Sequence, residues 1–123
     1  MKSKITIAFE KCKKEKRAAL ITYTVAGDNT KNNSLKILNA ISKHADILEL
    51  GFPHNTPIAD GGQIQESSYR AIKNGLKLKD VFQIIKNFKK TSPNKPLIMM
   101  GYFNLIYQMG ENNFLKNCKA SGV

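Results

Sequence analysis

The stretch DILELGFPHNTPIADGGQIQ, Asp46 to Gln65, decides how the rest of the chain folds. Ile47, Leu48 and Leu50 are strand formers, and the apolar run ends at Gly51-Phe52-Pro53, so a short buried strand followed by a loop is expected. Side chains alternate across a strand, which puts Ile47, Glu49 and Gly51 on one face and Leu48 and Leu50 on the other. Glu49 breaks the apolar pattern. In a parallel sheet covered on both faces it enters an apolar interior, where a polar group without a partner costs roughly 2–7 kcal/mol. A sequence keeps such a carboxylate mainly for chemistry; the bland alternative is a solvated residue on an edge strand. Asp60 ends a loop rich in breakers (Pro53, Asn55, Pro57) and stands before Gly61 and Gly62, where a helical pattern begins. It is either the N-cap of that helix, a position aspartate favours, or the second carboxylate of a site shared with Glu49.

Working outward, Ala18 to Val25 is strand-like and closes at Ala26-Gly27-Asp28, leading through Asn29 to Asn33 into a helix that carries Leu35, Leu38 and Ile41. After the central loop, Gln63 to Lys73 forms a helix that Asn74-Gly75 stops. A further helix covers Lys79 to Lys90, with Leu78, Val81, Phe82, Ile85 and Phe88 as its apolar face. Lys77 is a poor cap for it. Pro93 and Pro96 bracket a loop before the third strand, Leu97 to Met100, whose own loop runs through Tyr102 and Asn104. Phe114, Leu115 and Cys118 mark a last helix ending near Gly122. At the other end, Ile5, Phe9 and Cys12 give one apolar stripe on a short basic helix that caps the domain. Strands alternating with helices indicate an α/β fold, a parallel sheet with right-handed crossovers.

The chain has 123 residues, 41% of them hydrophobic, which supports one modest core and excludes a disordered chain. No apolar run is long enough to span a membrane and no signal peptide is legible, so a cytoplasmic location is expected. Cys12 and Cys118 have no His or Cys partner at ligand spacing, so neither a metal site nor a disulfide is expected. The formal charge of +11 raises nucleic-acid binding. Its lysines are scattered over helix faces without an aromatic platform, so they read as a solvated basic surface that would help gather an anionic substrate.

The sequence LELGFPHNTPIADGGQIQ resembles the signature of the tryptophan synthase α subunit family, LELGxPFSDPxADGPxIQ. The resemblance continues upstream in ITYTVAGD (Ile21 to Asp28) and downstream in PLIMMGYFNLIYQMG (Pro96 to Gly110), and covers the chain from about Ala19 to Val123. It implies the N-terminal portion of a TIM (β/α)8 barrel, a fold of roughly 250 residues. About three βα units plus an N-terminal helix are present, so residues 1–123 read as an incomplete single (β/α) barrel domain. The chain departs from the pattern at His54, Asn55 and Thr56, where the family carries Phe-Ser-Asp, and at Gly62, where it carries proline. The aspartate replaced by Thr56 is one associated with contact to the β subunit.

The resemblance also implies a carbon–carbon lyase of tryptophan biosynthesis, which cleaves indole-3-glycerol phosphate by a retro-aldol reaction to indole and glyceraldehyde 3-phosphate. That chemistry needs an acid to protonate indole C3, a base to remove the side-chain hydroxyl proton, and an acceptor for the indole N–H. By resemblance, Glu49 is the general acid/base and Asp60 the acceptor, with Tyr23, Ile64, Met100 and Tyr102 around the indole pocket. For the last four, plain core is the competing reading. His54 reads as a loop surface residue. In barrels the phosphate site comes from the loops after strands seven and eight, beyond Val123, so the 123 residues are expected to be inactive alone. No cofactor is expected on this chain; pyridoxal phosphate belongs to the partner β subunit of an α2β2 complex. A non-catalytic βα interaction fragment is the alternative.

Overall fold

The structure, a computed structural model, describes residues 2–123. Three strands, β1 (Ile21–Val25), β2 (Ile47–Gly51) and β3 (Leu97–Met100), form one sheet in the order β1-β2-β3, both pairs parallel. The helices among the described residues are α1 (Lys4–Lys14), α2 (Lys31–Ile41), α3 (Gly62–Lys73), α4 (Leu78–Thr91), α5 (Phe103–Met109) and α6 (Glu111–Ser121). The register pairs Tyr23 with Glu49 and Glu49 with Ile98, so these three stand in one row across the sheet. Period-two alternation then puts Leu48, Leu50, Leu97 and Met99 on the opposite face.

That opposite face holds the core. Leu48, Leu50 and Leu97 pack with Leu38 of α2, with Val81, Phe82, Ile85 and Phe88 of α4, and with Phe114 of α6. Phe114 meets both Phe52 and Phe82 edge-on, at 5.9 and 5.6 Å between ring centres, the arrangement the ring quadrupoles favour. The α4 stripe expected from its spacing is the one buried. Its start is better held than Lys77 suggests, because the Asp80 carboxylate accepts from the Lys77 backbone N–H at 2.9 Å. Asp80 also pairs with Lys31 at 2.8 Å, tying α4 to the first turn of α2; the lysine bond, more than the backbone bond, holds its carboxyl below the ordinary range.

Three local expectations are corrected. The first strand begins at Ile21, not Ala18, because pairing with β2 starts at Ile21↔Ile47. On α1 only Cys12 of the stripe Ile5, Phe9 and Cys12 is buried; Ile5 and Phe9 are exposed, and Ala8 is half-buried. The line Lys4, Ala8 and Cys12 is the inward one, with the Lys4 ammonium donating to the Pro93 carbonyl. Finally, Phe103–Met109 is helical where only a loop was expected, and its Leu105, Ile106 and Met109 pack against the core.

At the N-terminal end of the sheet, Asp46 joins three elements. Its carboxylate accepts from both terminal nitrogens of Arg17 at 2.7 Å and from the Leu20 backbone N–H at 2.8 Å. Arg17, followed by the Leu20 bond, holds the Asp46 carboxyl well below the usual carboxylate range.

Candidate functional site

At the other end of the sheet, where the strands terminate, the sequence-predicted residues gather. β2 ends at Gly51, and a loop carries the chain to Asp60 before α3 starts with Gly61 as its N-cap and no side-chain cap bond. Asp60 therefore does not cap α3, and its carboxylate is left for another partner. That partner is Tyr102, the N-cap residue of α5, whose hydroxyl lies 3.4 Å from Asp60 Oδ2 and accepts from the Ala59 N–H at 2.9 Å. Gln65, one turn into α3, donates to the Asp60 carbonyl at 2.8 Å. The loop end is thus held from both the α5 and the α3 side.

Glu49 stands in the row Tyr23, Glu49, Ile98 and is half-buried, not enclosed, because three strands do not close over this face. Tyr23 is the strand neighbour of Glu49 and feels the charge of both carboxylates. Burial first, then the negative charges of Asp60 and Glu49, push its hydroxyl up to about 12, so it stays a neutral donor at physiological pH. Gly51 makes room for it: a Cβ there would stand 2.0 Å from the Tyr23 hydroxyl. Gly101 does the same for Phe52, whose ring would lie 2.1 Å from an added Cβ. Met100 ends β3 at 36% exposure, and Ile64, in the first turn of α3, is half-buried.

One participant was misjudged from sequence. His54 is not a free surface residue: its Nδ1 accepts from the Thr56 N–H at 2.8 Å, its Nε2 lies 2.8 Å from the Asn104 amide, and its ring stacks on Tyr102 at 4.7 Å. The signal was faint, a ring two residues before a backbone donor in a loop without regular pairing. A second tie missed from sequence is Arg70, whose guanidinium grips Asp28 at 2.7 and 2.9 Å and anchors the loop after β1 to α3. A hollow of about 380 Å³, bounded by Phe52, His54, Leu76, Asn104 and Leu105, adjoins the loop, and neither carboxylate lines it. Glu49 faces the open, concave side of the sheet instead, and the Asp60 carboxylate lies by Tyr102. Among the described residues no group of three or more His, Cys, Asp or Glu is close enough to hold a metal ion, and no helix is long and apolar enough to cross a membrane.

Parallel strands joined through helices, with ionisable side chains collected at the strand C-termini, define the N-terminal portion of a (β/α)8 barrel, in which that end is where active sites form. The chain belongs to the tryptophan synthase alpha chain family, whose family model matches residues 9–123. It is 67% identical to the tryptophan synthase alpha chain of Pelagibacter ubique over 98% of its own length and 46% of that protein's. It is 38% identical to that of Methanocaldococcus jannaschii, over 98% and 43% of the two chains. The solved tryptophan synthase complex of Pyrococcus furiosus superposes with a TM-score of 0.82 at 50% identity, covering 85% of this chain and 43% of its counterpart. The chain thus spans less than half the length of the relatives it matches.

Proposed function

We propose that this chain carries the acid/base half of a site for retro-aldol cleavage of indole-3-glycerol phosphate to indole and glyceraldehyde 3-phosphate. The observation that supports the reading is that Glu49 stands beside Tyr23 on the concave face of the sheet, while Asp60, at the end of the loop that follows the same strand, has its carboxylate turned to Tyr102. Glu49 gives a proton to indole C3 and takes one from the side-chain hydroxyl. The bond between C3 and the side chain then breaks, its electrons returning to the ring system as the aldehyde forms. Asp60, kept in place by Tyr102 and not engaged in capping α3, accepts from the indole N–H as that nitrogen becomes positive. Tyr23, Ile64, Met100 and Tyr102 wall the indole ring. The phosphate is held by parts of the barrel outside these residues, so the 123 residues alone are inactive. No cofactor acts on this chain. Its partner is a pyridoxal-phosphate-bearing β subunit in an α2β2 assembly, as in the tryptophan synthase a2b2 complex of Pyrococcus furiosus, whose matching chain has a TM-score of 0.82 to this one.

The test uses a completed barrel, in which this chain is joined to the C-terminal remainder of the Pelagibacter ubique relative. Glu49→Gln in that protein is expected to lower turnover by roughly 10²–10⁴-fold, the usual worth of a general acid/base, with KM and thermal stability nearly unchanged. Turnover within a few-fold of the unsubstituted barrel would remove Glu49 from the mechanism.

A further inference from the structure

We propose that His54 is a positioning residue for the Asp60 loop, holding Asp60 through Tyr102 and supplying in this chain a constraint that Gly62 does not. Five contacts carry this, three made by His54 and two by Tyr102. Nδ1 accepts from the Thr56 backbone N–H at 2.8 Å, which bends the chain back immediately after β2. Because Nδ1 is an acceptor there, the neutral ring bears its proton on Nε2. The Asn104 Nδ2 lies 2.8 Å from Nε2; with the ring proton on Nε2, the Asn104 amide pairs with it once turned so that its oxygen accepts. Thr56 lies in the loop and Asn104 in the first turn of α5, so one imidazole joins the two segments. The same ring lies against Tyr102 at 4.7 Å and a tilt of 38°. Tyr102 in turn bonds the Ala59 N–H at 2.9 Å and reaches Asp60 at 3.4 Å.

The far end of the same loop has fewer steric restraints on its backbone. Gly61 and Gly62 follow Asp60, no other atom lies within 4 Å of where a Cβ on either would stand, and α3 begins without a side-chain cap. Two glycines in that place widen the set of conformations open to Asp60, where a proline would narrow it. Gln65 of α3 holds the Asp60 carbonyl at 2.8 Å, while the Asp60 carboxylate is ordered from the near end of the loop and from α5. His54 is the side chain that joins those two by both hydrogen bonds and ring contact. A phenylalanine at this position keeps the stack on Tyr102 and loses both hydrogen bonds; an alanine loses all of it.

Amide hydrogen exchange of the 123-residue chain, repeated in the completed barrel so that folding of the shorter chain does not limit the result, tests the proposal. His54→Phe is expected to speed exchange at Thr56 roughly fivefold, the size of one net hydrogen bond, and to leave Ala59 little changed. His54→Ala is expected to speed exchange at both. Nitrogen chemical shifts of the His54 ring should show an unprotonated Nδ1 and a protonated Nε2. The kinetic arm rests on the acid/base reading above: in the completed barrel His54→Ala should lower kcat roughly tenfold or more at an unchanged folded fraction, with His54→Phe recovering part of the loss. Unchanged exchange at Thr56 in both variants, or at Ala59 in His54→Ala, would overturn the proposal, as would an unchanged kcat in an otherwise active barrel. If Glu49→Gln keeps full turnover while the exchange differences appear, the reaction reading falls and the positioning role stands.

Discussion

The two faces of the sheet differ in what completes them. On the helix side, Leu48 and Leu50 are fully covered by α2, α4 and α6, all supplied by this chain, and Phe88 of α4 is fully buried against them. On the concave side, Ile21 at the β1 edge is 43% exposed and Met100 at the β3 edge 36%, with Glu49 half-buried between them. Ile47 on the middle strand and Val25 at the end of β1 are the side chains buried on that side. In a closed barrel the concave face is filled by side chains from the strands opposite. The difference teaches that these 123 residues build their structural face in full and only set out the chemical one.

The largest effect expected from that contrast is in turnover. Indole release from indole-3-glycerol phosphate should be undetectable with the isolated 123-residue chain and readily measured once the chain is joined to the remainder of a barrel. Comparable rates from the isolated, monomeric chain would break the comparison outright. Next comes stability. Phe88→Ala should cost about 3–5 kcal/mol by urea denaturation, the range for emptying a closed aromatic site. Met100→Ala, on the open face, should cost about 0.5 kcal/mol or less. Similar costs at the two positions would mean that the concave face is packed after all.

Gly51→Ala sharpens the same contrast from the concave side. The added Cβ meets the Tyr23 hydroxyl at 2.0 Å, so the ring must swing away, at about 1–3 kcal/mol. Its titration, now pushed up to about 12 by burial and by the two carboxylates, should move back toward the ordinary tyrosine range. An unshifted tyrosine titration would show that the ring does not depend on Gly51 for its place. The smallest effect concerns the far end of the sheet. Because the folded Asp46 carboxyl is held below its unfolded value by Arg17, its contribution is complete above the ordinary carboxylate range, near 3.9. That contribution is lost as pH falls toward the folded value. Asp46→Asn should lower stability at neutral pH and flatten the acid limb of a stability-against-pH curve; an unaltered acid limb would show that other carboxylates govern it.

Local residue patterns fixed most of the elements. Alternation around Glu49, the stripe Val81, Phe82, Ile85 and Phe88, and the stop at Asn74-Gly75 are read within a few residues of one another, and the structure follows them because period and turn chemistry are local properties. The inward line of α1, the start of β1 and the helix Phe103–Met109 were not legible. Each depends on what lies across from it: the sheet end that accepts Ala8 and Cys12, the partner register of β2, and the core that takes Leu105 and Ile106. The site divides in the same way. Glu49 stands out in sequence as a carboxylate in an apolar strand, and Asp60 as one at a helix start that capping alone would explain. That Asp60 leaves α3 uncapped and turns to Tyr102, that Glu49 stands beside Tyr23, and that His54 joins the loop to α5 were decided only by the tertiary structure. Those contacts join residues about 40 to 50 positions apart, and no local periodicity encodes an approach that arises when two strand ends are set side by side.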